Sequence, residues 1–422
     1  MKPLIQSLTA ALLVVQSVAA APEPPMRSLF NGKDLTGWTG AGYVVEDGAI
    51  VCTPQGRNLV YEEVFSNYIL DFEFKLPPGG NNGLGIHYPG EGDSAYTGME
   101  LQILDNTAPK YKDLKDYQFH GSLYTLAPAA TTGLKPVGEW NHQRVSILGP
   151  AIKVELNGKI ILRTNLDDLN KKFPDHQGAK RRSGQIAWLG HGDRVAFRNI
   201  RIVEFPPAAN VAGVKAAGFQ PLFDGKSLAG WKTGDTPPST WMAVDGIIKH
   251  NGKKGKINDL WSEREFGDFT LVCDWRWSGR GPKMNRPIIL PDGTEKKNPD
   301  GSAAVLEVEE LDSGIYLRGS SKSQVNLWNW PVGSGEVYGY RTDKSIPADV
   351  RAAVTPRLKA DAPVGEWNRM LISVKGDVLN VTLNGRAVIV DAQLPGIPAR
   401  GPIALQHHNA AIDFANIWIK ED

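Results

Sequence analysis

The chain has 422 residues, with 47 Lys and Arg against 46 Asp and Glu, for a formal net charge of +1. That balance leaves no electrostatic footprint for nucleic acid or an anionic membrane surface, and at about 100–200 residues per domain the length implies two or three domains. The 45 Gly and 29 Pro are a heavy load of turn formers that argues against long helical bundles, while 41% hydrophobic residues suffice for ordinary cores.

At the start, Lys2 precedes an apolar stretch from Leu8 to Ala19 and then small residues before Pro22, the layout of a cleavable signal over residues 1–21. A dozen apolar residues are too few to span a bilayer, and no later window reaches the roughly 18 a membrane helix needs. The mature protein is therefore expected to be exported, to the periplasm or the extracellular space, without a membrane anchor. Cys52 and Cys273 are the only cysteines and lie in different halves of the chain, so no disulfide framework is expected.

An internal repeat organises the rest. LFNGKDLTGW (Leu29 to Trp38) returns as LFDGKSLAGW (Leu222 to Trp231), PVGEWN (Pro136 to Asn141) returns at Pro363 to Asn368, and VAFRNIRI (Val195 to Ile202) is answered by IDFANIWI (Ile412 to Ile419). Each copy is too long to be a solenoid unit, so each is expected to be a complete domain, over 27–205 and 219–422, joined by a Pro- and Ala-rich linker over 206–218. The changing offsets place extra residues near Gly279 to Asp312 in the second copy and Lys171 to Arg182 in the first, both expected as loops outside the common core.

Within each copy the hydrophobic period is two. Leu70, Phe72, Phe74 and Leu76 share one face of YILDFEFKL, and Phe269, Leu271, Cys273, Trp275 and Trp277 share one face of FTLVCDWRW. Asn157-Gly158 and Asn384-Gly385 sit between alternating runs, the strongest short hairpin signal. Many short strands with Gly and Pro turns predict an all-β fold, with a sandwich or jelly roll in each half. Trp38 and Trp231, at the same place in both copies, are expected to anchor the core.

The opening L-F-[ND]-G-K-x-L-x-G-W, the segment GMELQILDN, the V-G-E-W-N segment with its L-N-G hairpin, and the closing F-R-N-I together resemble the 3-keto-disaccharide hydrolase domain family. The resemblance spans both copies and implies two tandem concanavalin-like jelly rolls that act on glycosides oxidised at C3 of the sugar. A ketone at C3 acidifies the C2 hydrogen. A base can remove it, an electrophile can hold the enolate, the C1 substituent can leave by β-elimination with proton assistance, and water can then add, for net hydrolysis. This differs from the paired carboxylates of ordinary glycosidases. It also implies a separate sugar-oxidising enzyme upstream, since the chain shows no dinucleotide fingerprint.

In the first copy, Glu100 and Gln102 alternate with Met99, Leu101 and Ile103, with Asp105 at the strand end. On the residues alone this is a solvent-facing strand. The resemblance to the family's E-x-Q-x-x-D pattern makes Glu100 the general-base candidate, with Gln102 and Asp105 beside it. His87 and His191 are candidate assistants, and His120 and Tyr124 candidate substrate contacts, although a histidine alone is more often an ordinary core or surface residue.

The second copy departs from this pattern. Aligning DSGIYLRG with NNGLGIHY puts Arg318 where His87 is, and SQVNLWNW puts Gln324 and Asn326 where Glu100 and Gln102 are. The base carboxylate is lost. Trp328, Tyr338 and Arg341 remain as sugar or anion contacts, and Glu336, His407 and His408 as a second catalytic set. No cofactor is required by the sequence. A divalent ion held by Asp105, His87 and His191 is an alternative electrophile, although no tight His-x-x-x-His or Cys-x-x-Cys spacing supports it. The competing reading is a non-catalytic, lectin-like protein in which both jelly rolls hold carbohydrate without chemistry.

Overall fold

A computed structural model of the protein describes residues 26–206, 214–215, 217–237, 239–255 and 258–421. The expected signal at 1–21 and most of the expected linker at 206–218 lie outside the described residues. No helix among them is long and apolar enough to cross a membrane.

Each copy is a jelly-roll sandwich of one eight-stranded and one five-stranded antiparallel sheet, and the strand order is the same in both copies. In the first copy the larger sheet runs Lys159–Asn165, Ala151–Leu156, Trp140–Leu148, Tyr68–Lys75, Ala196–Glu204, Ala49–Cys52, Tyr43–Glu46, with Arg27–Ser28 paired beside Ala196–Glu204. The smaller runs Trp38–Gly40, Asn58–Phe65, Gly184–Gly190, Asn81–Tyr88, Met99–Leu104. The second copy repeats the smaller sheet as Trp231–Lys232, Leu260–Phe266, Gly401–Leu405, Asp312–Leu317, Ser320–Trp328. Among the described residues no sheet mixes strands of the two copies.

The period-two faces pack as the alternation demands. Leu70, Phe72, Phe74 and Leu76 enter one core, and Phe269, Leu271, Cys273, Trp275 and Trp277 the other. Trp38 and Trp231 are buried, and each donates its indole N–H to the carbonyl nine residues earlier, Leu29 at 2.8 Å and Leu222 at 3.0 Å. Burying an indole requires such a partner. Both Asn-Gly turns carry positive φ at Asn157 and Gly158 and at Asn384 and Gly385, and the Asn157 and Asn384 side chains donate back to Asn141 and Asn368 of the V-G-E-W-N motifs. Both cysteines are free and buried.

The extra segments correct the loop expectation. Residues within Gly279 to Asp312 form a two-stranded ribbon of Lys283–Pro287 with Val305–Glu309, and Asp312 already belongs to the five-stranded sheet. Lys171 to Arg182 holds the end of the helix Leu166–Lys172 and the short helix Gln177–Lys180. Asn165 caps the first of these by accepting from the Asp167 N–H.

A buried ionic cluster joins the copies. Arg276 is 1% exposed and donates to Asp413 of its own copy and, across the junction, to Glu204 at 2.6 Å and Ser66 at 3.0 Å. Lys249 reaches Glu204 at 2.5 Å and Glu63 at 3.0 Å, and Arg27 closes the array on Glu63 and Glu204. Three cations therefore face three carboxylates. Burial alone would raise the Glu204 pKa, but Lys249, Arg276 and Arg27 hold it below the ordinary value.

Candidate functional site

Among the described residues, two clefts have room for a small molecule. The larger, about 780 Å³, lies between the copies and is lined by Glu62, Lys249, His250 and Arg280 among others. Its strongest charges are already consumed, Lys249 by Glu63 and Glu204 and Arg280 by Glu309 at 2.7 Å. The smaller, about 430 Å³, opens on the five-stranded sheet of the first copy, and its volume falls in the usual range of ligand sites, about 300–1,000 Å³. It carries the free chemistry.

Its floor is built by register. Glu100 is paired opposite Gly85 and Gln102 opposite Gly83, and the Glu100 side chain leans across Gly83, where a Cβ would overlap its carboxylate. Gly83 is thus required for the approach and not for its own φ. Glu100 is 6% exposed and its Oε1 has no hydrogen-bond partner. His191, just past the strand Gly184–Gly190, brings its Nε2 to 3.8 Å from Glu100 Oε1. The neighbouring Glu100 carboxylate raises the His191 pKa. Gln102 and Tyr124 line the same cleft.

The sequence reading missed the rest of the wall: Asn81, Tyr96, Tyr111 and Gln118. Asp93 accepts from the Ala95 N–H to start the short helix Ser94–Thr97, which presents Tyr96. Tyr96 and Tyr117 both approach Tyr124 edge-on. The D-S-A-Y cap was the available signal for this segment.

Three first-copy candidates lie elsewhere. His87 takes a positive φ, turns inward and is fully buried, and burial lowers its pKa to about 4. It does not line the cleft, so assistance to Glu100 falls to His191. His120 stacks on Phe74 and accepts the Leu104 N–H at its Nδ1, with burial again lowering its pKa to about 4. Asp105 accepts from Gly79 N at 2.8 Å and from Thr107 N and Oγ1, which makes it the organiser of a turn. Asp105, His87 and His191 therefore do not converge as ligands, and among the described residues no three His, Cys, Asp or Glu side chains gather as a metal site.

The second-copy candidates are dispersed likewise. Arg318, with positive φ like His87, is 2% exposed and spends its guanidinium on the Gly267 and Gly376 carbonyls and Asp268. Glu336 is fully buried and paired with Arg341, and burial pushes its pKa up to about 7. Asn326 donates to the Glu336 carbonyl, and Trp328 donates to the Gly333 carbonyl while stacking on Trp330. Tyr338 stands exposed at the edge of Trp328. The His407 ring is bound to His250 at 2.7 Å. Glu336, His407 and His408 each have a different partner, so they do not form one set. Gln324 lies over Gly314 as Glu100 lies over Gly83, and His408 faces Asp312.

Comparison with known proteins matches the chain to the 3-keto-alpha-glucoside-1,2-lyase-like domain at residues 25–203 and again at 218–420. A protein of Bacteroides thetaiotaomicron named 3-keto-disaccharide hydrolase is 28% identical, over 42% of this chain and 77% of the relative. Two crystal structures of candidate glycosyl hydrolases from Parabacteroides distasonis are 27% and 26% identical, covering 42% and 43% of this chain and 93% and 100% of theirs, with TM-scores of 0.37 and 0.39. The chain belongs to the family of 3-keto-alpha-glucoside-1,2-lyase-like domains and carries two tandem copies of it.

Proposed function

We propose that the protein is an exported enzyme that cleaves 3-keto-glycosides by base-assisted β-elimination and hydration. The observation that carries this reading is the buried, hydrogen-bond-free Glu100 oxygen facing His191 at 3.8 Å on the floor of a cleft walled by tyrosines. A carboxylate so placed can take the C2 proton, the C2–H pair forming C2=C3 with the charge on the C3 oxygen. As the ketone re-forms, C1=C2 forms and the C1–O bond breaks. His191, whose pKa the adjacent Glu100 carboxylate raises, can return a proton to the leaving oxygen. Water then adds its hydroxyl to C1 and its proton to C2. Gln102, Asn81 and Tyr124 are the donors available to the sugar oxygens, and a separate oxidising enzyme supplies the ketone.

The test is a matched pair of nitrophenyl glucosides, one oxidised at C3 and one not, followed by phenol release and by deuterium incorporation at C2 in D2O. Saturable release confined to the oxidised substrate, with C2 exchange, is the expected result. Comparable release from the unoxidised glucoside would reject the elimination, and saturable binding without release or exchange would select the lectin-like reading.

A further inference from the structure

The second copy lacks a carboxylate at the position of Glu100, yet the structure gives it another. Gly401 packs beneath Arg318 as Gly184 packs beneath His87, which fixes the register of the closing strands and makes His408 the counterpart of His191. Asp312 opens its strand as Asn81 opens the equivalent one. The histidine is kept while the acid moves from one strand to its neighbour. We propose that the Asp312–His408 pair is a second acid/base centre for the same class of 3-keto-glycoside, a reading that rests on the function proposed above.

The geometry exchanges the two roles. In the first copy the histidine presents Nε2 to the carboxylate, whereas His408 presents Nδ1 to Asp312 Oδ2 at 3.3 Å. The Asp312 side chain is 15% exposed and that of His408 is 49% exposed, so the carboxylate holds the ring from beneath and leaves Nε2 for the substrate. This is the orienting arrangement of nucleophile and base sites generally, in which a third group fixes the tautomer of the imidazole. His408 is the base and Asp312 a positioning residue. His408 Nε2 takes the C2 proton, its electron pair passes through the enolate to form C1=C2 as the C1–O bond breaks, and the imidazolium returns the proton to the departing oxygen. Water addition across C1=C2 completes a balanced hydrolysis.

The surroundings suit a sugar. Gln324 donates to Gln406 at 2.7 Å, which fixes two amides on the floor. Trp261 and Tyr316, with ring centroids 5.5 Å apart, flank Ala404 where the first copy has Val60 and Gly85 flanking Ala187. Aromatic faces thus replace small aliphatic ones. The ribbon inserted only in this copy contributes Arg286, held by Glu310 and lying over the Trp330 ring, as a positive group acting on Asp312. Burial pushes the Asp312 carboxyl up, with His408 and Arg286 pulling it down and Glu310 pushing it up. His408 is faced also by Asp259 and His407.

The experiment uses the full chain and the oxidised nitrophenyl glucoside, in E100Q, D312N, H408Q and the double variants E100Q/D312N and E100Q/H408Q, each checked for an unchanged melting transition. E100Q is expected to keep release within about ten-fold of the unaltered protein. Both double variants are expected to fall by about a further 10²-fold or more, with C2 deuterium exchange falling in parallel. In the E100Q background, loss of the Asp312 charge should also lower kcat with KM within a few-fold, a split that a merely structural role would not give. The second centre is overturned if E100Q alone abolishes release, or if D312N and H408Q leave the E100Q rate within two-fold; either outcome leaves the first-copy chemistry standing. An unaltered protein that neither releases phenol nor exchanges C2 would overturn the functional reading itself.

Discussion

Side by side, the strand pairs Asn81–Tyr88 with Met99–Leu104 and Asp312–Leu317 with Ser320–Trp328 share a glycine beneath a long polar side chain, a positive-φ residue at the inner end and an antiparallel register. They differ in what stands on that frame: Glu100 against Gln324, Asn81 against Asp312, Gly85 against Tyr316. Where the backbone demands a residue, as at Gly83 and Gly314 or Asn157 and Asn384, the copies agree. Where a ligand would be met, they part. Two copies on one scaffold thus separate the requirements of the fold from those of chemistry without any other sequence being needed.

The largest effect should come from the one place where the copies cannot be treated separately. Arg276 corresponds in its strand to Lys75, which lies over the Trp140 ring, yet Arg276 is sealed against Glu204 of the other copy. Arg276→Met would leave Glu204 and Asp413 short of a buried cation, and removing one partner of such an array typically costs about 3–5 kcal/mol. Urea unfolding should show that loss. The sign with pH follows from the lowered Glu204 pKa: its contribution is full above the ordinary glutamate value of 4.5 and is lost as pH falls toward the lowered folded value. A cost under about 1 kcal/mol would mean that the remaining contacts of Lys249 and Arg27 compensate both carboxylates without Arg276.

Next in size is the comparison of the two floor glycines. Gly83→Ala must push the flexible end of Glu100 aside, and Gly314→Ala must do the same to Gln324. Misplacing a reacting group by about 1 Å can cost on the order of 10²-fold in rate. Measured in the D312N background, Gly83→Ala should therefore lower kcat by about that factor with little change in melting temperature. Gly314→Ala should lower it far less, since Gln324 is not the base.

Trp38→Phe and Trp231→Phe should cost about the same as one another, roughly 1–3 kcal/mol each, because each strands a buried carbonyl, Leu29 or Leu222. Unequal costs beyond that range would show that the opening motif has diverged in its structural duty.

Much of this frame was legible in the sequence. The repeat, the period-two faces and the Asn-Gly turns gave the two sandwiches, and the E-x-Q-x-x-D resemblance brought Glu100 and Gln102 to the cleft with His191. His87 was misread because alternation tells which face a residue takes but not that a positive φ at a strand end turns it inward. Asp312 was passed over because Asn to Asp at an aligned position reads as one polar residue for another, and only the approach to His408 gives the change meaning. The ionic cluster was invisible for a different reason. Arg276 alternates with core residues as any solvent-facing charge does, and that its outer face is covered by Glu204 and Ser66 is a fact of domain packing.

The smallest expected effect is also the most local. His191 owes its raised pKa first to the Glu100 carboxylate beside it, whereas the corresponding position 324 is a glutamine and His408 faces Asp312 instead. A histidine whose folded pKa is raised contributes stability that is complete below its unfolded value near 6.5 and is lost as pH rises through the folded value. Because the His191 side chain is 49% exposed, solvent screening holds that contribution under about 1 kcal/mol. The titration itself is the better reporter. In Glu100→Gln the imidazole loses its anionic partner, so its proton resonances should titrate at lower pH than in the unaltered protein. In Gln324→Glu the same resonances should not move. The two variants change the same position of the two copies, so a shift confined to the first ties the histidine's charge to Glu100 directly. Were His191 to titrate identically in Glu100→Gln, the 3.8 Å approach would carry no proton coupling, and the return of a proton to the leaving oxygen would have to come from Tyr124 or solvent.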